Sequence, residues 1–303
     1  MIEREVILRN GNRMPSIGIG TSHNGGYSHS CMVYALKNCG YRLIDTAKRY
    51  GTEEFIKHAI IESKIDRENL FITSKIWPSD YGIETTRQAL LGSLQRLGVD
   101  YLDLYLIHYP EVSSSCPDKW RTIGDTWRTM ELLLDEGLVK SIGVSNYNID
   151  DIEHQNLYGS MFPIVNQIEF HPYHCPLDLI EFCEDNKIKI QGYCPLGMGN
   201  LIRDNKIIEI ADSIGRTPAQ ILINWSLRMN VPTIPKSTKP NRVKENIEVF
   251  DFSLDQNQMN ILNNLSKNCI KYQDCKMIRE KIDADLPDGY KLDINLREKL
   301  FES

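Results

Sequence analysis

No stretch of this chain approaches the roughly 18 consecutive apolar residues of a membrane-spanning helix, and none is expected. Its opening, MIEREVILRNGNRMP, lacks the apolar core of a secretory signal and reads as mature protein. Eight cysteines are present, but no two form a CxxC pair. Cys31, Cys39, Cys175 and Cys183 fall in or beside helix-like or apolar segments, which points to buried, reduced thiols rather than disulfides or a metal site. A cytoplasmic chain is expected. Basic residues are not in excess. The net charge of −6 argues against a nucleic-acid partner, although a local basic pocket remains compatible with it. A Rossmann turn needs G-x-G-x-x-G. GIGTSHNGG supplies Gly18 and Gly20 without the third glycine in place, and PLGMGN fails in the same way. No linker or low-complexity stretch divides the 303 residues, so one domain over 1–303 is expected.

What the chain does have is alternation. Hydrophobic residues make up 41% and charged residues 25%, as in ordinary soluble globular proteins. Asn10-Gly11 beside a short apolar run predicts an N-terminal β-hairpin. Eight short apolar runs follow, at 17–20, 41–45, 70–75, 102–108, 139–144, 164–170, 188–193 and 232–235. Most are continuous rather than alternating, as strands covered on both faces should be. Between them lie segments with apolar residues at helical spacing. TTRQALLGSLQRLG stops at Gly98, DTWRTMELLLDEG stops at Gly137, and TPAQILINWSLRM starts on a Thr217 cap with Pro218 at its first position. The pattern predicts an α/β fold, a (β/α)8 TIM barrel with the hairpin in front and a charged C-terminal extension, 266–303, outside the repeat.

Such a barrel brings the C-terminal ends of its strands to one pocket. The second run ends in Asp45, with Tyr50 in the loop beyond. The third ends in Lys75, the fourth in His108, and the fifth in Ser145 and Asn146. The sixth carries Asn166, Gln167, Glu169 and His171, and the seventh ends at Tyr193 before a Pro-Leu-Gly turn. Taken singly, each has an ordinary structural explanation. Together, an aspartate, a lysine and a histidine on successive strand ends make a poor core and a sensible proton-transfer site. A phenol has a pKa of about 10. A buried ammonium beside it favours the ionised form, and Lys75 is the candidate, kept charged by Asp45. His108 would hold a carbonyl oxygen while Tyr50 protonates it.

GYRLIDTAKRYGTEE, FITSKIW, LYLIHYP, SIGVSNY, NQIEFHPY and IPKSTKPNRVKEN, in that order, resemble the signatures of the aldo-keto reductase family over roughly residues 5 to 265. The resemblance implies a barrel enzyme that uses a nicotinamide dinucleotide, with no metal and no flavin. It implies a catalytic four of Asp45, Tyr50, Lys75 and His108, with Tyr50 as the general acid. Ser145, Asn146 and Gln167 would hold the nicotinamide carboxamide, and Tyr193 would stack on its ring. Leu196 and Gly197 would lie along the pyrophosphate, and Lys236, Ser237, Thr238, Arg242, Glu245 and Asn246 would take the adenosine end. Lys236 and Arg242 with a hydroxyl make a seat for a phosphate monoester, which favours NADPH over NADH. Ser22, Trp77 and Tyr109 fall where the substrate would sit. Ser22, followed by His23 and Asn24, stands where an aromatic is common in the family, and Tyr109 stands where tryptophan is common.

The expected function is NADPH-dependent reduction of a small-molecule aldehyde or ketone by a monomer with neither nucleic-acid nor membrane partners. Two alternatives stand beside it. One is a cofactor-binding redox sensor or structural relative with little turnover. The other is a barrel lyase with Lys75 as a Schiff-base nucleophile, which a close Asp45 disfavours by keeping the amine charged.

Overall fold

The computed structural model describes residues 2–22, 26–271, 278 and 281–283. His23 and Asn24, Cys275 and most of the tail expected outside the repeat lie outside the described residues. Strands β1 (Glu5–Ile7) and β2 (Arg13–Pro15) pair antiparallel as the expected hairpin. Its turn closes through Gly11, whose φ of 87° suits a residue without Cβ.

Seven parallel strands follow in sequence order: β3 (Gly18–Gly20), β4 (Leu43–Asp45), β5 (Phe71–Ile76), β6 (Leu104–Ile107), β7 (Ile142–Ser145), β8 (Val165–Glu169) and β9 (Lys189–Tyr193). Their residues are almost all buried, which explains why the runs read as continuous. The eighth run, 232–235, forms no regular strand. Pro232 and Pro235 have no N–H to give a ladder. Between them, Thr233 donates to Ser16 and Ile234 to Gly192, at 2.9 and 3.2 Å. The carbonyls of Pro232, Thr233 and Pro235 accept from Gly192, Gly18 and Gly20. The segment therefore bridges β9 to β3 and closes the barrel with few bonds.

Ten α-helices are described: α1 (His29–Lys37), α2 (Glu53–Ser63), α3 (Ile83–Leu97), α4 (Lys119–Asp135), α5 (Ile149–Asn156), α6 (Leu177–Asp185), α7 (Asn205–Ser213), α8 (Pro218–Arg228), α9 (Pro240–Ile247) and α10 (Gln256–Asn263). The sequence signals for their ends are largely met. Gly98 ends α3 in the left-handed region, and Thr217 and Gln220 form a capping box on α8. Helix α4 begins earlier than its apolar periodicity suggests. The Asp118 side chain accepts from the Arg121 N–H and starts the helix there, so the loop after β6 is shorter than expected.

The core lies between the strands and the helix ring, with Ile72, Ile107, Trp127, Val144 and Trp225 among its buried side chains. A second cluster fills the barrel interior below the strand ends, from Leu8 and Met14 of the hairpin to Leu43, Leu104, Leu106 and Val165. The hairpin thus plugs the N-terminal end, and the C-terminal end is left for the pocket. No helix of the described residues is long and apolar enough to cross a membrane.

Candidate active site

Asp45 is the last residue of β4, Lys75 the fifth of β5, and His108 follows β6 directly. All three therefore emerge at the same end of the barrel. Tyr50 arrives from the side, on a single 3₁₀ turn, Lys48–Tyr50. That turn is anchored by Lys48, which donates to both oxygens of Asp80 at 2.9 and 2.8 Å. Thr21, Thr46 and Thr52 tie down the chain on either side of it through buried hydroxyl bonds of 3.2 and 3.0 Å.

The Lys75 ammonium donates to Asp45 Oδ1 at 2.6 Å, to the Thr46 carbonyl at 3.0 Å and to Tyr50 Oη at 3.4 Å. Its side chain is 0% exposed. The other oxygen of Asp45 accepts from Gln167 Nε2 at 2.7 Å. Tyr50 Oη also lies 3.5 Å from His108 Nε2. Trp77 meets the His108 ring edge-on, with centroids 5.1 Å apart, and fixes its plane.

Burial raises the Tyr50 phenol well above its usual 10, and the Asp45 carboxylate pushes in the same direction. Burial lowers the Lys75 ammonium from 10.5, against the pull of Asp45. This reverses the direction expected from sequence, in which the amine acidifies the phenol. The main cause is burial, which disfavours the charged phenolate, so the phenol holds its proton at neutral pH.

Next to this group lies a set of amides. Asn146 has a φ of 66°, unusual for a residue other than glycine. Its Nδ2 donates to the His108 carbonyl and to Ser145 Oγ, both at 3.0 Å, and its Oδ1 accepts from Tyr193 Oη at 2.7 Å. Ser145 in turn donates to the Gln167 carbonyl at 2.8 Å. Further along, Lys236, Ser237, Thr238, Arg242, Glu245 and Asn246 gather where the closing segment runs into α9. Burial lowers the Lys236 ammonium from its usual value, which an anion beside it would offset.

One cavity of about 760 Å³ joins the two groups. Ser22, Asp45, Tyr50, Trp77, His108, Tyr109, Ser145, Asn146, Gln167, Tyr193 and Leu196 line it, as do the six residues near α9. Of the residues singled out from sequence, Lys75 sits behind the wall, reaching it through Asp45 and Tyr50. Gly197 is buried off the wall, which passes from Leu196 to Met198 and Gly199. Glu169 and His171 form a buried pair at 2.9 Å outside the cavity lining. Sequence reasoning missed Arg49, Cys194 and Ile278 on the lining. Arg49 carried a legible signal, since it directly precedes Tyr50. Ile278 carried little, because the tail reads as polar; yet Ile278 and Ile282 pack with Trp77 and Tyr109 in a small apolar cluster.

The seven described cysteines are free. Burial pushes the Cys194 and Cys183 thiols up to about 12 and Cys175 to about 11, so these three are protonated at neutral pH.

The model of the Aldo/keto reductase family matches residues 16–267. The chain is 44% identical over 286 residues to an uncharacterised oxidoreductase of Caenorhabditis elegans, covering 94% of this chain and 88% of that protein. It is 41% identical over 265 residues to the glyoxal reductase of Bacillus subtilis (strain 168), covering 87% and 93%. Among solved structures, the aldose reductase from Schistosoma japonicum superposes with a TM-score of 0.83 at 32% identity, covering 95% of this chain and 100% of that one. The chain belongs to the aldo/keto reductase family.

Proposed function

We propose that this protein is an NADPH-dependent reductase of aldehydes and ketones with Tyr50 as its general acid. The observation that carries the reading is the phenol itself: a half-buried hydroxyl 3.4 Å from an ammonium and 3.5 Å from an imidazole, opening on a large cavity.

The residues present fit a nicotinamide dinucleotide. Ser145, Asn146 and Gln167 offer amide and hydroxyl groups already held in place, suited to a carboxamide. Tyr193, pinned through its hydroxyl, presents a ring for stacking. Leu196 and Gly197 belong to the turn beside which a pyrophosphate would pass. Lys236, Ser237, Thr238 and Arg242 suit a phosphate monoester, with Glu245 and Asn246 toward the adenine and ribose; this supports NADPH over NADH. When bound, the reduced nicotinamide supplies the hydride.

The chain's own residues do the rest. His108 Nε2 and Tyr50 Oη face a common point where a carbonyl oxygen can accept from both. Tyr50 then delivers its proton to that oxygen as negative charge develops on it. Lys75 stabilises the phenolate left behind, and Asp45 keeps Lys75 charged and aimed. Trp77, Tyr109 and Ser22 shape the space for the rest of the substrate. The glyoxal and aldose reductases among the relatives support small aldehydes as the substrate class.

Absorbance of NADPH and NADH, followed with a panel of short-chain aldehydes and dicarbonyls, tests the reading. Turnover is expected with NADPH and much less with NADH. Tight NADPH binding with no turnover across the panel would instead favour a cofactor-binding sensor.

A further inference from the structure

Tyr50 and His108 stand on two separate pieces of chain. Tyr50 ends the Lys48–Tyr50 turn, and His108 follows β6 in irregular backbone. A third piece touches both. After Trp77 the chain makes a 3₁₀ turn, Pro78–Asp80, and passes into Tyr81. Asp80 takes the Lys48 ammonium on both of its oxygens. Tyr81 reaches the other way. Its buried hydroxyl donates to the Tyr109 carbonyl at 2.7 Å and accepts from the Tyr109 N–H at 3.3 Å. Just before it in the chain, the His108 carbonyl accepts from Asn146 at 3.0 Å, and the His108 N–H donates to the Ile76 carbonyl at 3.1 Å. The backbone is thus tied on both sides of the imidazole. Tyr81 is itself braced against two helices. Its carbonyl accepts from Thr85 Oγ1 of α3 at 3.0 Å, and the next N–H, that of Gly82, donates to Thr126 Oγ1 of α4 at 2.9 Å. Neither Asp80 nor Tyr81 lines the cavity.

Resting on the reductase reading, we infer that Tyr81 is a positioning residue for His108: through the backbone of Tyr109 it sets where the imidazole meets the carbonyl oxygen that Tyr50 protonates. Strand β6 ends at Ile107, so the peptide groups beyond it need other partners to hold one conformation. A hydroxyl suits that task, because it gives to a carbonyl and takes from an amide at once. Its neighbour Asp80 ties the Tyr50 turn to the same segment. One short piece of chain therefore relates the proton donor to the group that holds the substrate. Geometry set in this way governs rate, since a misplacement of about 1 Å at a reacting group costs up to about a hundredfold.

The test is Tyr81→Phe, which deletes one oxygen outside the cavity. NADPH affinity should stay within about twofold, while kcat with a short-chain aldehyde, counted per cofactor-binding site, falls by about tenfold to a hundredfold. In a His108→Gln background the same substitution should change kcat by less than about twofold, because the group it positions is gone. A purely structural role would lower the yield of cofactor-binding protein and leave kcat per site unchanged. Normal kcat in Tyr81→Phe, or the same fold-loss in both backgrounds, overturns the proposal. Nitrogen NMR spectra of protein carrying isotope-labelled histidine need no turnover. The His108 signals, assigned by their loss in His108→Gln, should move in Tyr81→Phe while those of His29 on α1 stay. If no aldehyde is reduced, the reductase reading falls while the spectra still decide: displaced His108 signals support the positioning role, and unmoved ones overturn it.

Discussion

Lys75 is an ammonium with none of its side chain exposed, held by a carboxylate, a carbonyl and a phenol. Such a group is costly to bury and is tolerated only because its donors are all met. Removing it leaves Asp45 charged inside the barrel, with the Gln167 amide still donating to its other oxygen. Lys75→Met should therefore lower stability by about 3–5 kcal/mol, measured by urea unfolding. Adding Asp45→Asn to that variant should return most of the loss, since a removed pair costs far less than a broken one. If the double variant is as unstable as the sum of the two single ones, the coupling between these residues is not what holds them. Glu53 follows the same logic nearby. It is buried, accepts from Ser74 at 2.7 Å and pairs with Arg96 at 2.7 Å. It also opens α2, where a carboxylate meets the positive end of the helix.

At the scale of elements, the barrel depends on close approach between neighbouring strands. Gly143 of β7 shows how close. A Cβ built there would lie 2.3 Å from the Val165 carbonyl and 2.8 Å from a Leu106 methyl. Since backbone cannot give way as a side chain can, Gly143→Ala should destabilise the fold by at least about 1–3 kcal/mol, read as a lower urea midpoint with an unchanged slope. An unchanged midpoint would mean that β7 and β8 can separate more freely than the packing implies. Most elements were legible from the chain. Continuous apolar runs marked seven strands, and glycines and a Thr-Pro pair marked helix ends. The exceptions have identifiable causes. The run 232–235 reads as a strand by hydrophobicity, but its two prolines remove the donors that a ladder requires. The start of α4 lies in a Ser-, Cys- and Pro-containing stretch that reads as loop, and only the Asp118 cap reveals it. The convergence of Asp45, Tyr50, Lys75 and His108 followed from strand order. The direction of the Tyr50 shift did not, because it depends first on how far the fold takes the phenol out of water.

Across the whole molecule, the two ends of the barrel do different work. The hairpin and its apolar cluster seal the N-terminal end, so packing dominates there. The C-terminal end gathers polar residues from six strands and from the closing segment, and the cavity between them runs from a phosphate-suited cluster to a proton-donating one. Ile278 lay beyond the reach of motif reading because its place comes from what the fold sets against Trp77, not from any local pattern. The central claim concerns one proton. Tyr50→Phe removes only the hydroxyl and preserves the ring that faces His108. Measured together, NADPH affinity by fluorescence titration and kcat with a short-chain aldehyde give the most direct answer. The account predicts affinity within about twofold of wild type and kcat lower by about a hundredfold or more; near-normal kcat in that variant would contradict it.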